Sequence, residues 1–281
     1  MTDPSPADPV PADSVPADPT PAAGPTGFVA SPAGYAALGP AAALGHLVDR
    51  QAAFAAVLRD GDLDAPVPTC PGWTLTRLAW HLGTVHRWAA GAVEQGRPVE
   101  LEESGPTDRD ALVDWYVEGA AGLVDLLRAT DPTAEVWTFG PKPRTARFWS
   151  RRQAHETAMH VEDAALATGA ALPPLAPDLA VDGVDEVVTM FAPRQVRLQR
   201  IPPLTRSLAL LPAEAGGTRW VLAGDGATPS DDLPAAEATV RGPAEQLVRL
   251  LWRRVPLDAP GITLEGDPEA AAAVLGAGLT P

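Results

Sequence analysis

The sequence predicts an α+β protein, in which an antiparallel bundle of four long helices precedes a small domain of strands and shorter helices. Two observations support this prediction. As far as about residue 168, apolar residues recur at helical spacing in long segments that are separated by loops rich in proline and glycine. After Pro173-Pro174, the pattern changes to short strand-like segments and shorter helical stretches, which is typical of a separate α+β domain.

The composition restricts the class of protein. Among the 281 residues, 36 are acidic and 21 are basic, and the formal net charge is −15. A nucleic-acid-binding protein needs a basic face, and the sequence has no lysine and arginine cluster of sufficient size. No apolar run approaches the ~20 residues of a membrane span, and the first residues lack the features of a secretory signal. The single cysteine, Cys70, excludes an internal disulfide, so we expect a cytoplasmic protein without nucleic-acid or membrane partners.

Residues 1–34 are expected to form a disordered tail. The segment repeats a short motif of proline, alanine and aspartate, at Pro6-Ala7-Asp8, Pro11-Ala12-Asp13 and Pro16-Ala17-Asp18. Proline fixes φ and removes a backbone donor, and few side chains of this segment are large enough to form a core. The interpretation is an acidic, solubilising tail, with binding of a partner as the alternative.

Residues 35–172 are predicted to form the helix bundle. The first helix covers about residues 37–60, where leucines recur near helical spacing. A loop with several prolines follows, and Thr74 is placed to cap the second helix. The third helix runs from about Asp108 to Ala129, and the fourth from about Trp149 to Thr168.

Residues 173–281 are predicted to form the small α+β domain, which opens with a helical stretch from Asp178 to Phe191. Two strand-like segments, residues 206–211 and 218–223, flank Ala215-Gly216-Gly217, and this pattern predicts a β-hairpin. The remaining predicted elements are a strand over residues 236–241, a helix from Gly242-Pro243 to Trp252, a strand over residues 262–264 and a helix from Pro268 to Leu275.

A candidate metal site lies on the fourth predicted helix. Glu156 and His160 are four residues apart, so they share one helix face. A carboxylate and an imidazole at this spacing can bind one divalent metal if a neighbouring helix supplies a third ligand, although such a face is more often simply solvated. The third ligand stays open between His46, His81 and His86, with His155 a weaker candidate because it points about 100° away from Glu156.

Two motifs carry a resemblance to a known family. They are Pro71-Gly-Trp-Thr-Leu-Thr-Arg-Leu-Ala-Trp-His81, preceded by Cys70, and Arg152-x-x-His-Glu-x-x-x-His-x-x-Asp163. Together they resemble the mycothiol-dependent maleylpyruvate isomerase family, within the DinB-like metalloenzyme superfamily. Residues 242–254 and 264–267 resemble the small sterol-carrier-like domain of that family, so the resemblance covers about residues 35–281.

The resemblance implies a DinB-like bundle in which His81, Glu156 and His160 bind Zn²⁺ or another divalent metal. Three protein ligands leave an open position on a tetrahedral zinc, and a thiol that enters this position is deprotonated by the cation. Because the chain has one cysteine, the resemblance makes mycothiol the reacting thiol, as a cosubstrate. We assign Arg152, on the same helix face, to cofactor binding. Isomerase and thiol S-transferase chemistry both remain open.

A further arginine is implied by the same resemblance. The family uses an arginine of the C-terminal domain in catalysis, and Arg254 matches it, with Arg253 beside it. An arginine offers a two-pronged fork for an anionic substrate, whereas the alternative is a solvated helix end. Cys70 is the weaker candidate nucleophile because its loop offers no obvious base.

Two other functions stay open. A metal hydrolase would use hydroxide in the open metal position, and a non-catalytic binding protein would hold a small molecule or a lipid in the sterol-carrier-like domain. Metal content separates the binding protein from the enzymes, and thiol dependence separates the two enzymes. The expected partners are a small electrophilic substrate and a low-molecular-weight thiol, and the expected state is a monomer or a weak homodimer.

Overall fold

The computed structural model describes residues 31–172, 174–226 and 235–281. Almost all of the predicted tail, residues 1–34, lies outside these residues. The boundaries that the sequence suggests between the tail, the bundle and the small domain stay predictions. No helix in the described part of the chain is both long enough and apolar enough to cross a membrane.

Four long helices make up the first part of the chain: α1 (Pro40–Asp60), α2 (Leu75–Gln95), α3 (Arg109–Ala129) and α4 (Arg147–Thr168). The side chains of Thr74 and Asp108 cap α2 and α3 by accepting hydrogen bonds from backbone N–H groups of the first turn. Helices α1 and α2 each pack against both α3 and α4. Each helix of ~21 residues is about 30 Å long.

Helix α4 is buried on nearly all sides. The second part of the chain covers the face that the bundle leaves open, beginning with α5 (Pro177–Glu186), a π-helical turn (Val187–Phe191) and α6 (Ala192–Arg197). This helical run is six residues longer than the stretch predicted to end at Phe191. Pro193 lies inside this run and did not end it, since the π-helical turn just before it departs from the regular hydrogen-bond pattern that proline would otherwise interrupt.

A four-stranded mixed sheet follows, with the strands β1 (Leu204–Pro212), β2 (Trp220–Gly224), β3 (Ala238–Gly242) and β4 (Thr263–Gly266). Their order across the sheet is β2-β1-β3-β4, with β1 antiparallel to β2, parallel to β3, and β3 antiparallel to β4. Two helices complete the chain, α7 (Ala244–Leu251) and α8 (Pro268–Gly276). The predicted α+β class, with four helices before a small mixed sheet, is confirmed.

One hydrophobic cluster joins the two parts of the chain. It includes Leu47 and Trp149 from the bundle together with Trp220 and Leu247 from the second part, all fully buried. A second cluster, around Phe54 and Leu75, lies within the bundle. The shared cluster holds the π-helical turn and α6 beside the groove between α2 and α4.

Candidate metal centre

Three buried side chains converge between α2 and α4. Glu156 Oε1 lies 3.1 Å from His160 Nε2 and 3.6 Å from His81 Nε2. One possible ligand atom from each of the three residues lies within 4.8 Å of those of the other two. Among the histidines that the helical spacing left open as the third ligand, His81 is the one that lies beside Glu156 and His160, and its role as a ligand stays a prediction.

Each of the two histidine rings is held from behind by a carboxylate. His81 Nδ1 lies 3.1 Å from Glu103 Oε2, and His160 Nδ1 lies 3.0 Å from Asp163 Oδ2. A carboxylate accepts hydrogen bonds, so this network assigns a proton to Nδ1 of both rings and turns Nε2 of both rings toward Glu156. A protonated Nε2 donates to Glu156, and an unprotonated Nε2 is free to bind a metal. Imidazoles oriented by carboxylates are typical of metal sites, and two such nitrogens with one carboxylate oxygen fit a divalent cation.

The charges around the site keep Glu156 ionised. Burial raises the pKa of this carboxyl, but the charge of Arg152 and hydrogen bonds from His160 and His81 lower it well below its usual range. Burial likewise opposes the ionisation of Asp163, whose bonds to His160 and Arg254 lower its pKa to about 2. For His160, burial lowers the pKa, whereas the bonds to Asp163 and Glu156 raise it above the ordinary value. A proton and a metal would compete for His160 Nε2, so acid disfavours metal binding here.

The other histidines have separate partners. His46 Nε2 lies 3.0 Å from Asp178, and His155 Nε2 lies 2.7 Å from Asp182. His86 is fully buried and bonds to the hydroxyl of Thr157 at 3.0 Å. Burial lowers the pKa of His86 to about 3, so its ring is neutral. His86 is five residues from His81 and therefore points to another side of α2.

The two arginines considered for catalysis have different contacts. Arg254 donates from Nε and Nη2 to the two carboxylate oxygens of Asp163, at 3.0 and 2.7 Å. Arg253 contacts the carbonyl of Gly276 instead. Within the described part of the chain, neither residue lines the cavity described below. The direct catalytic contact predicted for Arg254 remains a prediction, and the contact present here runs through Asp163 to His160.

Cys70 also contacts Asp163, with Sγ 3.9 Å from Oδ2. Burial, followed by the charge of Asp163, raises the pKa of this thiol to about 11. The side chain is therefore a neutral thiol near pH 7, and a thiol is a far weaker nucleophile than a thiolate.

A cavity of about 430 Å³ opens beside His81 and Glu156. The cavity follows the groove between α2 and α4. Trp88 lies two helical turns from His81, so the apolar end of the cavity is about 10 Å from the metal centre. Phe139 stacks on Trp88 with ring centroids 6.0 Å apart. Further lining residues are the apolar Val85, Val99 and Phe191 and the polar Arg77, Glu103, Arg152, Gln153 and Arg194.

One wall of this cavity is the segment between α2 and α3. Its Glu103 accepts hydrogen bonds from Arg77 Nε at 2.8 Å and from His81, while Trp80 Nε1 bonds to the carbonyl of Pro106 at 2.8 Å. At Gly105 an added Cβ would lie 2.7 Å from Trp80, so glycine permits the close approach of this segment to α2. Hydrogen bonds thus connect this wall of the cavity to the candidate ligand His81 and to its neighbour Trp80 on α2.

Two family models match the chain. The model described as the mycothiol maleylpyruvate isomerase N-terminal domain covers residues 44–165, and the MDMPI C-terminal domain covers residues 178–273. The chain belongs to the mycothiol maleylpyruvate isomerase family. None of the curated proteins compared with this family member matches it.

Solved structures show the fold that this family member shares. The crystal structure of the mycothiol-dependent maleylpyruvate isomerase superposes with a TM-score of 0.60 at 17% sequence identity, covering 82% of this chain and 95% of that chain. A histidine-to-alanine mutant of that isomerase gives a TM-score of 0.57 at 16% identity, with coverage of 82% and 95%. At this identity the likeness concerns the fold.

Several residues of the site have no sequence motif. Glu103 lies in a segment without periodicity, and Arg194 lies in the helical run beyond its predicted end. Gln153 is within the second motif but is one of its unspecified positions. Only the packing of separate elements brings these side chains to the cavity.

Proposed function

We propose that this member of the family is a metal-dependent enzyme that activates mycothiol for addition to a small electrophilic molecule, as an isomerase or a thiol S-transferase. His81, Glu156 and His160 would hold the metal, with zinc the expected ion. The observation that supports this proposal is the inward orientation of His81 Nε2, His160 Nε2 and Glu156 Oε1 at the end of a 430 Å³ cavity.

A divalent cation bound by three protein ligands would supply an open coordination position and lower the pKa of a thiol that occupies it. The protein residues prepare this position. Glu103 and Asp163 hold the two imidazoles in the tautomer that faces the site, and Arg152 keeps Glu156 ionised. Trp88 and Phe139 form an apolar wall that limits the access of water to the reacting groups.

Two arginines have supporting roles in this proposal. Arg152 lines the cavity, pairs with both Glu156 and Glu186, and lies over the ring of Phe191 at 5.0 Å. From this position Arg152 can contact mycothiol in the cavity and can also orient the carboxylate of Glu156. Arg254 acts through Asp163, whose carboxylate it fixes on His160. The second part of the chain thereby contributes to the metal centre.

The lipid-binding alternative has less support from the structure. The cavity beside the sheet, next to Leu204 and Val221, has a volume of about 10 Å³, which is too small for a lipid. The 430 Å³ cavity adjoins two of the three candidate ligands, His81 and Glu156, instead.

Metal content tests the first half of the proposal. Protein purified without chelator is expected to contain about one divalent metal per chain by inductively coupled plasma mass spectrometry, and His160→Ala is expected to lose most of it. His46→Ala is a matched control, because His46 pairs with Asp178 near the surface. Retention of full metal content by His160→Ala would contradict the site.

Thiol dependence tests the second half. Isomerisation of maleylpyruvate, or transfer of the thiol to an electrophile, is expected to require added mycothiol. Cys70→Ser is expected to keep the rate within a few-fold, because the high pKa of Cys70 leaves it protonated. Turnover without any added thiol would favour a hydrolase, and an inactive but metal-loaded Cys70→Ser would show that the protein supplies its own nucleophile.

A further inference from the structure

Gln153 is a buried polar residue at the cavity that the proposed function does not use. It lies on α4, one turn before Glu156, and borders the cavity. Its side chain is fully buried, and neither the amide nitrogen nor the amide oxygen has a hydrogen-bond partner among the described residues.

A buried amide without partners is unfavourable for folding, because both of its polar groups have lost water and gained nothing in return. A leucine or a methionine of similar volume would fill the same space without this cost. Groups that are kept at the expense of stability occur at sites where a ligand completes their interactions. Gln153 has this character, and it is one of the residues that border the cavity beside the metal centre.

We propose that Gln153 is a binding residue for the thiol cosubstrate and that it recognises a secondary amide next to the thiol. This inference rests on the proposed function, in which the sulfur lies at the His81–Glu156 end of the cavity. The side-chain amide of glutamine offers an N–H donor and a C=O acceptor in one plane. A secondary amide has an N–H that can donate to Gln153 Oε1 and a C=O that can accept from Gln153 Nε2. In the trans form these groups lie on opposite edges, so one such amide makes one of the two bonds at a time. A carboxylate offers acceptors only and cannot satisfy Gln153 Oε1.

The spacing along α4 agrees with this assignment. Gln153 and Glu156 are three residues apart, so they are separated by about 4.5 Å along the helix axis. In an N-acylated aminothiol, two carbons separate the sulfur from the amide nitrogen, which places them roughly 4 Å apart. A compound of this class with its sulfur at the metal end therefore brings its amide level with Gln153.

The test uses the full chain loaded with Co²⁺, because a thiolate ligand gives Co²⁺ a charge-transfer absorption band that reports the sulfur directly. The probes are N-acetylcysteamine, which has the amide, and 2-mercaptoethanol, which lacks it. We expect the wild type to bind N-acetylcysteamine more tightly. Gln153→Leu should weaken the binding of N-acetylcysteamine about tenfold and change that of 2-mercaptoethanol less than about twofold.

Gln195→Leu is the matched control. Gln195 is also buried, its Oε1 has no partner among the described residues, and it is not among the residues that line the cavity there. This variant should bind both probes as the wild type does. If Gln153→Leu does not fold, Gln153→Met, which keeps the length of the side chain, takes its place.

Thermal unfolding without ligand gives a second readout. Because the amide is unpaired, Gln153→Leu should have a melting temperature equal to or above that of the wild type. A melting temperature several degrees lower would show that the folded chain already satisfies the amide, and this result would overturn the inference.

The outcomes separate this inference from the proposed function. Equal weakening of both probes by Gln153→Leu, or no weakening of either, would overturn the role of Gln153 and leave the proposed function in place. Absence of the charge-transfer band with both probes on Co²⁺-loaded wild type would overturn the proposed function, and the inference with it.

Discussion

Glu103 and Asp163 fix the orientation of the two histidine rings at the candidate metal centre. Each accepts a hydrogen bond from the Nδ1 of one ring, so the opposite nitrogen faces the third candidate ligand, Glu156. The helical spacing predicted the pair Glu156 and His160 on one face, and the motif resemblance selected His81. The residues that orient the rings could be predicted only in part, because Asp163 belongs to the motif, whereas Glu103 reaches the site from a segment without regular structure.

Glu103→Gln is expected to lower the affinity for the metal about 10- to 100-fold, because a neutral amide holds the His81 ring less firmly and makes it a weaker ligand. Competition with a chelator of known affinity measures the change. Glu100→Gln is the control, since Glu100 is exposed on the same wall and has no bond to a histidine among the described contacts. Equal affinity of Glu103→Gln and the wild type would contradict the orienting role.

His86 makes the stability of the fold depend on pH. Its pKa is about 3 in the folded chain and about 6.5 when unfolded, so between these values the unfolded state binds more protons. The stability that neutral His86 contributes is present above about pH 6.5 and is lost as the pH falls toward 3.

The unfolding free energy of the His86→Gln variant should therefore depend less on pH than that of the wild type. Between pH 7 and pH 5, His86 accounts for a loss of about 2 kcal/mol in the unfolding free energy of the wild type, which the variant lacks. Urea denaturation of both proteins with EDTA present measures this difference without a contribution from metal loss. Parallel pH profiles for the two proteins would show that His86 does not titrate in this way.

Between the helices, the turn that follows α7 and the last third of α4 meet at the Arg254–Asp163 pair. This contact connects the second part of the chain to His160, one of the candidate ligands. An arginine that contacts substrate and an arginine that positions a ligand have different effects on metal binding. The positioning role agrees with the contacts of the guanidinium, because Nε and Nη2 donate to Asp163 and Nη1 donates to the carbonyl of Trp252.

Arg254→Met is expected to weaken metal binding about tenfold, because Asp163 then holds His160 with less support. The neighbouring Arg253→Met should leave the affinity unchanged, since Arg253 contacts a carbonyl of α8. Chelator competition on both variants is the measurement. A normal metal affinity with a raised KM in Arg254→Met would instead indicate direct contact with substrate.

Local patterns predicted most of the helices and strands. The periodicity of the long helices, the caps at Thr74 and Asp108 and the glycines near residue 216 act within a few residues, so the sequence displays them. The parallel pairing of β1 with β3 brings together residues about thirty positions apart, such as Leu210 and Val240, and no local pattern specifies it. The continuation of the helical run through Pro193 also depends on packing that the sequence does not display.

For the molecule as a whole, α4 is the helix that contacts both parts of the chain, since it packs in the bundle and forms ion pairs with the second part. Its buried acidic and basic side chains have partners from the second part: Glu162 with Arg249, Asp163 with Arg254, Arg152 with Glu186, and His155 with Asp182. A charge that is buried without a partner destabilises a fold strongly. The bundle face that carries Glu156 and His160 is therefore completed by the second part of the chain.

The tail is expected to be dispensable for this arrangement. A chain that begins at Gly34 should keep its melting temperature and its metal content, because residues 1–33 contain no candidate ligand and few side chains that could form a core. Differential scanning calorimetry and metal analysis of the shortened chain test this expectation. A melting temperature several degrees lower would show that the tail packs on the body.

The central claim is that His81, Glu156 and His160 hold a metal that binds the thiol. X-ray absorption spectroscopy of the zinc-loaded protein, with and without mycothiol, tests it most directly. Without the thiol we expect nitrogen and oxygen neighbours at about 2.0–2.2 Å, and with it one additional sulfur at about 2.3 Å. A zinc environment that mycothiol leaves without sulfur would contradict the account.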